Sequence, residues 1–138
     1  KSKFDIVVFI DADTILECDL LGLIENNLIN DNELSGIIGV VDKEPVNKES
    51  LSARYIAEET NYYGFKCKVL KHNFFIGQCG VIRKKVYLEN LGFYHRTIDD
   101  MEFNSRLRSD FLIKTVTDIK YKHYYPTFFL QFKKFFFP

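Results

Sequence analysis

The chain has 138 residues, 19 Lys+Arg against 19 Asp+Glu, 46% hydrophobic and 28% charged. That is enough for one domain with a real core, and zero net charge excludes a general nucleic-acid binder, which needs a basic footprint. With 7 Gly and 3 Pro it is neither a linker nor collagen-like, and its apolar content excludes wholesale disorder. No run approaches the roughly 18 apolar residues of a membrane span, and the start at Lys1 does not read as a signal peptide. Cys18, Cys67 and Cys79, odd in number and widely spaced, read as reduced thiols in a cytosolic setting.

Phe4 to Ile10 (FDIVVFI) is a near-continuous β-branched and aromatic run, the pattern of a strand buried on both faces. It ends in Asp11-Ala12-Asp13. Asp19 suits a helix N-cap, followed by Leu20, Leu21, Leu23, Ile24, Leu28 and Ile29 at helical spacing. Asn30-Asp31-Asn32 should end that helix. Ser35 to Val41 reads as a second strand, and Asp42 to Lys48, with Pro45, as a loop. Glu49 to about Tyr63 is a helix that Gly64 would close.

Phe74 to Ile82 is apolar but interrupted by Gly77 and Gly80, as where something approaches a strand backbone closely. Lys84 to Asn90 suits one or two helical turns before Gly92, and Asp99 to Arg108 a helix with acids in its first turn. Phe111 to Val116 is a strand. The alternation of strands and helices predicts an α/β layered domain with a mostly parallel mixed sheet.

Loops at the carboxyl ends of parallel strands are where open α/β sheets bind ligands. Asp11 and Asp13 sit at such an end, two residues apart, hence on the same side of an extended backbone. Two carboxylates so placed can bind Mg2+ or Mn2+, which then carries a phosphate or diphosphate. They equally suit a turn whose acids cap the next helix. Local charge keeps both readings open: residues 11–33 hold seven acids and no Lys or Arg, whereas residues 114–138 hold five lysines against one aspartate.

The second half narrows the choice. Gly77-Gln78-Cys79-Gly80-Val-Ile-Arg83-Lys84, with Gly92-Phe93 beyond it, resembles a segment of the family 2 glycosyltransferases of the GT-A fold, in which a glycine-containing strand precedes a basic pair, a short helix and a Gly-Phe turn. Ile98-Asp99-Asp100-Met-Glu102-Phe-Asn-Ser-Arg106-Leu107 looks like that family's acidic motif and the helix after it. His123 falls where the family commonly has a histidine. Gln131-Phe-Lys-Lys134-Phe135 is faintly similar to the Q-x-x-R-W element of processive members. The motifs appear in the family's order over essentially the whole chain.

The resemblance implies a GT-A-like (Rossmann-like) layered fold and a metal-dependent, inverting transfer of a sugar from a nucleotide diphosphate, UDP most readily, to a hydroxyl acceptor. Carried over by residue, Asp11 and Asp13, with His123, would hold Mn2+ or Mg2+. Asp13 and Arg106 would bind the donor diphosphate. Asp100 would be the base, needed because a sugar hydroxyl is a poor nucleophile at neutral pH, and Asp99 and Asp100 with Gly77 and Gly80 would form the acceptor site. Residues 1–138 would be one partial domain: 1–48 for metal and diphosphate, 49–123 for acceptor and base, and 124–138 an aromatic basic tail. The chain starts at the D-x-D strand, so the nucleotide-binding strands would be absent and that strand would expose an apolar edge. The expected partners are the nucleotide-sugar donor and a saccharide or lipid-linked acceptor; the expected setting is the cytoplasm, with residues 124–138 able to contact the inner face of a membrane.

Tyr125, Phe128, Phe129, Phe132, Phe135 and Phe136 recur at helical spacing with Lys133 and Lys134 between them. That fits a helix on an anionic membrane surface or one packed on its own domain. Two other functions stay open. A haloacid dehalogenase-like phosphatase would use Asp11 as nucleophile, Asp13 as acid/base and Asp99 or Asp100 to complete a Mg2+ site. It expects Thr or Val where this chain has Ile15. A truncated, non-catalytic domain would fold without metal or nucleotide affinity.

Overall fold

A computed structural model of the chain describes residues 4–66, 74–92 and 99–126. It is a mixed α/β fold with strands β1 (Ile6–Ile10), β2 (Thr14–Leu16), β3 (Leu34–Val41), β4 (Cys79–Arg83) and β5 (Leu112–His123). The helices are α1 (Leu20–Ile24), α2 (Leu51–Lys66), α3 (Lys84–Glu89) and α4 (Asp99–Arg106). Asp19 caps α1, its Oδ1 accepting from the Gly22 amide at 3.1 Å. The expected helix continues past Ile24 as a π-helical turn, Glu25–Ile29.

The five strands form one sheet in the order β1-β4-β3-β5-β2. Only β3 and β5 pair in parallel; the other three pairings are antiparallel. The expectation of a mostly parallel sheet is thereby corrected. β1, β3 and β5 do run in one direction, but β4 enters between β1 and β3 in the opposite sense, and β2 closes the far edge. Alternation fixes a strand's sense only when each link contains a single helical return. Residues 42–78, between β3 and β4, are longer than that.

The sheet must curl. Its edge strands β1 and β2 are separated by three others, about 19 Å in a flat sheet at ordinary strand spacing. Yet only Asp11-Ala12-Asp13 joins them, and the four steps from Ile10 to Thr14 span at most about 14 Å. The bend is built into β5. Ile38 pairs with Thr115 but Val40 with Lys120, so β5 carries three extra residues, a bulge that turns the strand. Beyond it Ile119, Tyr121 and His123 are buried and alternate with Lys120 and Lys122. That period of two extends β5 seven residues past the expected end at Val116.

β3 is buried at every position and separates two cores. One joins Leu28, Ile37, Val41, Ala53, Ala57 and Tyr121 beneath α2. The other gathers Phe75, Ile82, Phe103 and Ile113 beneath α4, with the Phe75 and Phe103 rings edge to face at 5.7 Å. β1, expected to be covered on both faces, is instead an edge strand, and Phe4, Val8 and Ile10 are exposed. Among the described residues no helix is long and apolar enough to cross a membrane. Residues 127–138, most of the aromatic tail, lie outside the described residues, as does Cys67. Tyr125 at the start of that stripe is buried in the core beneath α2.

Two glycines act otherwise than expected. Gly64 does not end its helix, which runs to Lys66; a Cβ there would meet Val40 Cγ1 at 3.0 Å, so the missing side chain lets α2 sit close on β3. Gly80 is buried in β4 with the Phe75 ring and the Ile76 carbonyl packed where a Cβ would stand. What approaches this backbone is the chain itself.

Gly80→Ala should therefore overpack the aromatic core and cost about 1–3 kcal/mol, seen as a lower midpoint in urea unfolding; an unchanged midpoint would show that Phe75 yields freely. The thiols give a second test. Cys18 and Cys79 are free, and burial, then the neighbouring Cys18, pushes the Cys79 thiol up to about 12. Since the thiolate is the nucleophile, Cys79 should resist iodoacetamide at about pH 8 and react only as the pH nears that value. Peptide mass spectrometry reads this directly, and rapid labelling of Cys79 in folded protein would contradict the buried position.

Candidate functional site

The acidic segment occupies the seam where the curled sheet's edges meet. The Thr14 amide donates to the Asp11 carbonyl at 3.1 Å, closing a β-turn with Ala12 and Asp13 at its centre. The two carboxylates are thus gathered by a turn rather than by the expected extended backbone. On one side the Asp11 amide donates to the Gln78 carbonyl at 3.2 Å; on the other the Tyr124 amide donates to the Asp13 carbonyl at 3.0 Å. The turn is pinned to both edges.

Pairing of β2 with β5 sets Thr14 opposite His123. His123 Nδ1 lies 3.2 Å from Thr14 Oγ1 and 3.4 Å from Asp13 Oδ1, and its ring meets Tyr125 edge to face at 4.9 Å. One donor atom each from Asp11, Asp13 and His123 lie within 4.8 Å of one another. The carboxylates are exposed and the imidazole is buried, so one wall of the cluster is fixed while the other is open to a ligand. Two carboxylates and one imidazole are a donor set for a divalent ion, and the nitrogen favours Mn2+ over Mg2+.

Asp100 reaches the same region from α4. The Gly77 amide donates to both Asp100 oxygens at 3.1 Å. One turn along the helix, Asn104 exchanges two bonds with Phe75: the Phe75 amide donates to Oδ1 at 2.6 Å and Nδ2 donates to the Phe75 carbonyl at 2.7 Å. These fasten α4 to the segment leading into β4. The Gly77–Gln78 segment therefore meets Asp100 through the Gly77 N–H and Asp11 through the Gln78 carbonyl.

The other expected residues fare differently. Gly77 is at the site, with its N–H committed to Asp100. Gly80 is inside the aromatic core. Arg106 is engaged elsewhere, donating to the Gly92 carbonyl at 2.6 Å and pairing with Glu102 at 3.8 Å. Asp99 opens α4, but its side chain lies outside the described residues, as does Phe93. Arg83 is structural: it donates to the carbonyls of Leu34 and Leu28 at 2.8 Å and of Asp31 at 3.2 Å, closing the end of the π-helical turn.

Sequence reasoning passed over Gln78, Asn104 and Tyr121. Each had a signal. Asn104 follows Asp100 by four and shares its helix face; Tyr121 precedes His123 by two and shares its strand face; Gln78 follows the glycine that binds Asp100.

Calorimetric titration of Mn2+ alone should give one binding event, weakened more than about tenfold by Asp13→Ala or His123→Ala, since even outer-shell losses cost that much; equal affinity in both variants would move the ion elsewhere. No protein-family model and no curated protein matches the chain, so the reading of this site rests on its geometry.

Proposed function

We propose that the chain carries the metal- and acceptor-binding part of a glycosyltransferase of GT-A type, transferring a sugar from a nucleotide diphosphate to a hydroxyl acceptor. One observation carries the reading. The Gly77–Gln78 segment binds the carboxylate of Asp100 on one side and the backbone of Asp11 on the other, so a metal-capable cluster and a separate carboxylate adjoin one turn.

Asp100 acts as the base. Its two oxygens share the Gly77 N–H, which holds the carboxylate in one orientation, and a carboxylate is the group that takes the acceptor's proton. As that proton moves to Asp100, the acceptor oxygen bonds to the anomeric carbon, the bond from that carbon to the diphosphate oxygen breaks, and the nucleotide diphosphate leaves. Attack from the face opposite the leaving group inverts the centre. A divalent ion held by Asp11, Asp13 and His123 supplies countercharge for the diphosphate. In the same reading the donor is a UDP-sugar, the acceptor is a saccharide or lipid-linked hydroxyl, and the setting is the cytoplasm or the inner face of a membrane.

The phosphatase alternative makes Asp100 or its neighbour complete the metal site. Among the described residues the mutually close donors are Asp11, Asp13 and His123, without Asp100. That favours a base separate from the metal.

Calorimetric titration of UDP, and of inorganic pyrophosphate as a probe independent of base recognition, is expected to show binding with Mn2+, none with EDTA and none in Asp13→Ala. Binding indifferent to metal, or none in folded protein, would overturn the reading. Hydrolysis of an aryl phosphate abolished by Asp11→Asn would replace it with the phosphatase.

A further inference from the structure

Tyr121 and Gln78, which no motif singles out, connect the acidic turn to Asp100. Tyr121 is buried in β5 on the face that carries His123, and its hydroxyl donates to Gln78 Oε1 at 3.2 Å. Gln78 in turn receives the Asp11 amide on its backbone carbonyl, and the amide just before it, that of Gly77, donates to Asp100. One side chain thus grips Gln78, which holds Asp11 and directly follows the glycine that holds Asp100. An amide oxygen can only accept, so in this bond the hydroxyl is the donor. With Oε1 so held, Gln78 Nε2 has no protein partner among the described residues.

We propose that Tyr121 is a positioning residue acting through Gln78. It fixes the Gly77–Gln78 turn so that the metal-capable carboxylates and Asp100 keep one mutual geometry, and it leaves the Gln78 amide nitrogen as a donor to an oxygen of the acceptor. The identity of that acceptor rests on the glycosyl-transfer reading; the mechanical link does not. A core ring alone would need no hydroxyl and would not have to meet a polar side chain at the site.

Amide proton–nitrogen correlation spectra during a Mg2+ titration separate these possibilities, using wild type, Tyr121→Phe, Gln78→Ala, the double variant and an Asp13→Ala control. Gly77 is the reporter, because its N–H lies on Asp100. In wild type Mg2+ should shift Thr14 directly and Gly77 through the turn. In Tyr121→Phe Thr14 should still shift while the Gly77 response is lost. Gln78→Ala should behave alike, and the double variant should lose no more than either single one, the signature of a shared path. A Gly77 response preserved in Tyr121→Phe, or silent in wild type while Thr14 shifts, overturns the proposal and leaves the metal reading intact. Should Tyr121→Phe unfold, Gln78→Ala decides in the same way, since Gln78 is only half-buried. Should Mg2+ shift nothing in wild type, the metal reading fails instead. The link is then read without metal, where an unchanged Gly77 resonance in both single variants overturns it.

Discussion

The connection between β1 and β2 constrains everything else. Opposite edges of a five-stranded sheet are tied by three residues, so the sheet can exist only if curled, and the acids of the connection must lie where the edges meet. Backbone hydrogen bonds hold the turn there, from the Asp11 amide to the Gln78 carbonyl at 3.2 Å and from the Tyr124 amide to the Asp13 carbonyl at 3.0 Å, while the Asp42 amide, bonded to the Tyr121 carbonyl at 2.7 Å, extends the β3–β5 pairing beside it. Asn47 adds a reciprocal pair with the Tyr125 backbone. Lys122 also bridges Glu17 and Glu44 at 2.8 and 3.2 Å, and these acids, Glu17 foremost, raise its ammonium above the ordinary range. Solvent screening keeps that pair a minor contributor. The backbone bonds are the stronger constraint, because each one lost leaves a polar group in need of a partner.

The site has two supports that share little packing. His123 and Tyr121 stand on the core beneath α2, whereas Asp100 stands on the aromatic core beneath α4 through Asn104, Phe75 and Phe103. The Gly77–Gln78 turn is where the supports meet. A packing fault in either core would therefore be felt as misalignment of the carboxylates before it was felt as unfolding. The positioning that catalysis requires is tighter than the packing that folding requires.

Much of this architecture was legible in the sequence. The apolar run ending in D-x-D, the Asp19 cap and the acids opening α4 each carry a local physical signal, and each appears where that signal puts it. What failed was of other kinds. β2 has three residues, too few to display a period of two. The place of β4 between β1 and β3 is a choice of partner, invisible to any pattern within one segment. Gly64 and Gly80 carry the signals of a helix end and a ligand approach, yet each answers to a tertiary contact, with Val40 and with Phe75. His123 was grouped with Asp11 and Asp13 only through family resemblance. The seam that brings it to Asp13 follows from topology alone.

The acidic turn also bears on whether a cation serves folding or chemistry. Donor atoms of Asp11 and Asp13 lie within 4.8 Å and both residues are exposed. At such a separation two like charges in water-like surroundings repel by about 1 kcal/mol. The turn's backbone bonds and the buried imbedding of His123 readily exceed that, so the fold does not need an ion to hold its acids together. Structural metal sites are the reverse, closed and buried, with folding itself dependent on the metal. Here the open side of the cluster faces solvent next to the Gly77–Gln78 turn and Asp100. A cation bound there would be held on one side by the protein and on the other by whatever ligand it carries, which is the arrangement a transfer reaction requires and a structural site does not.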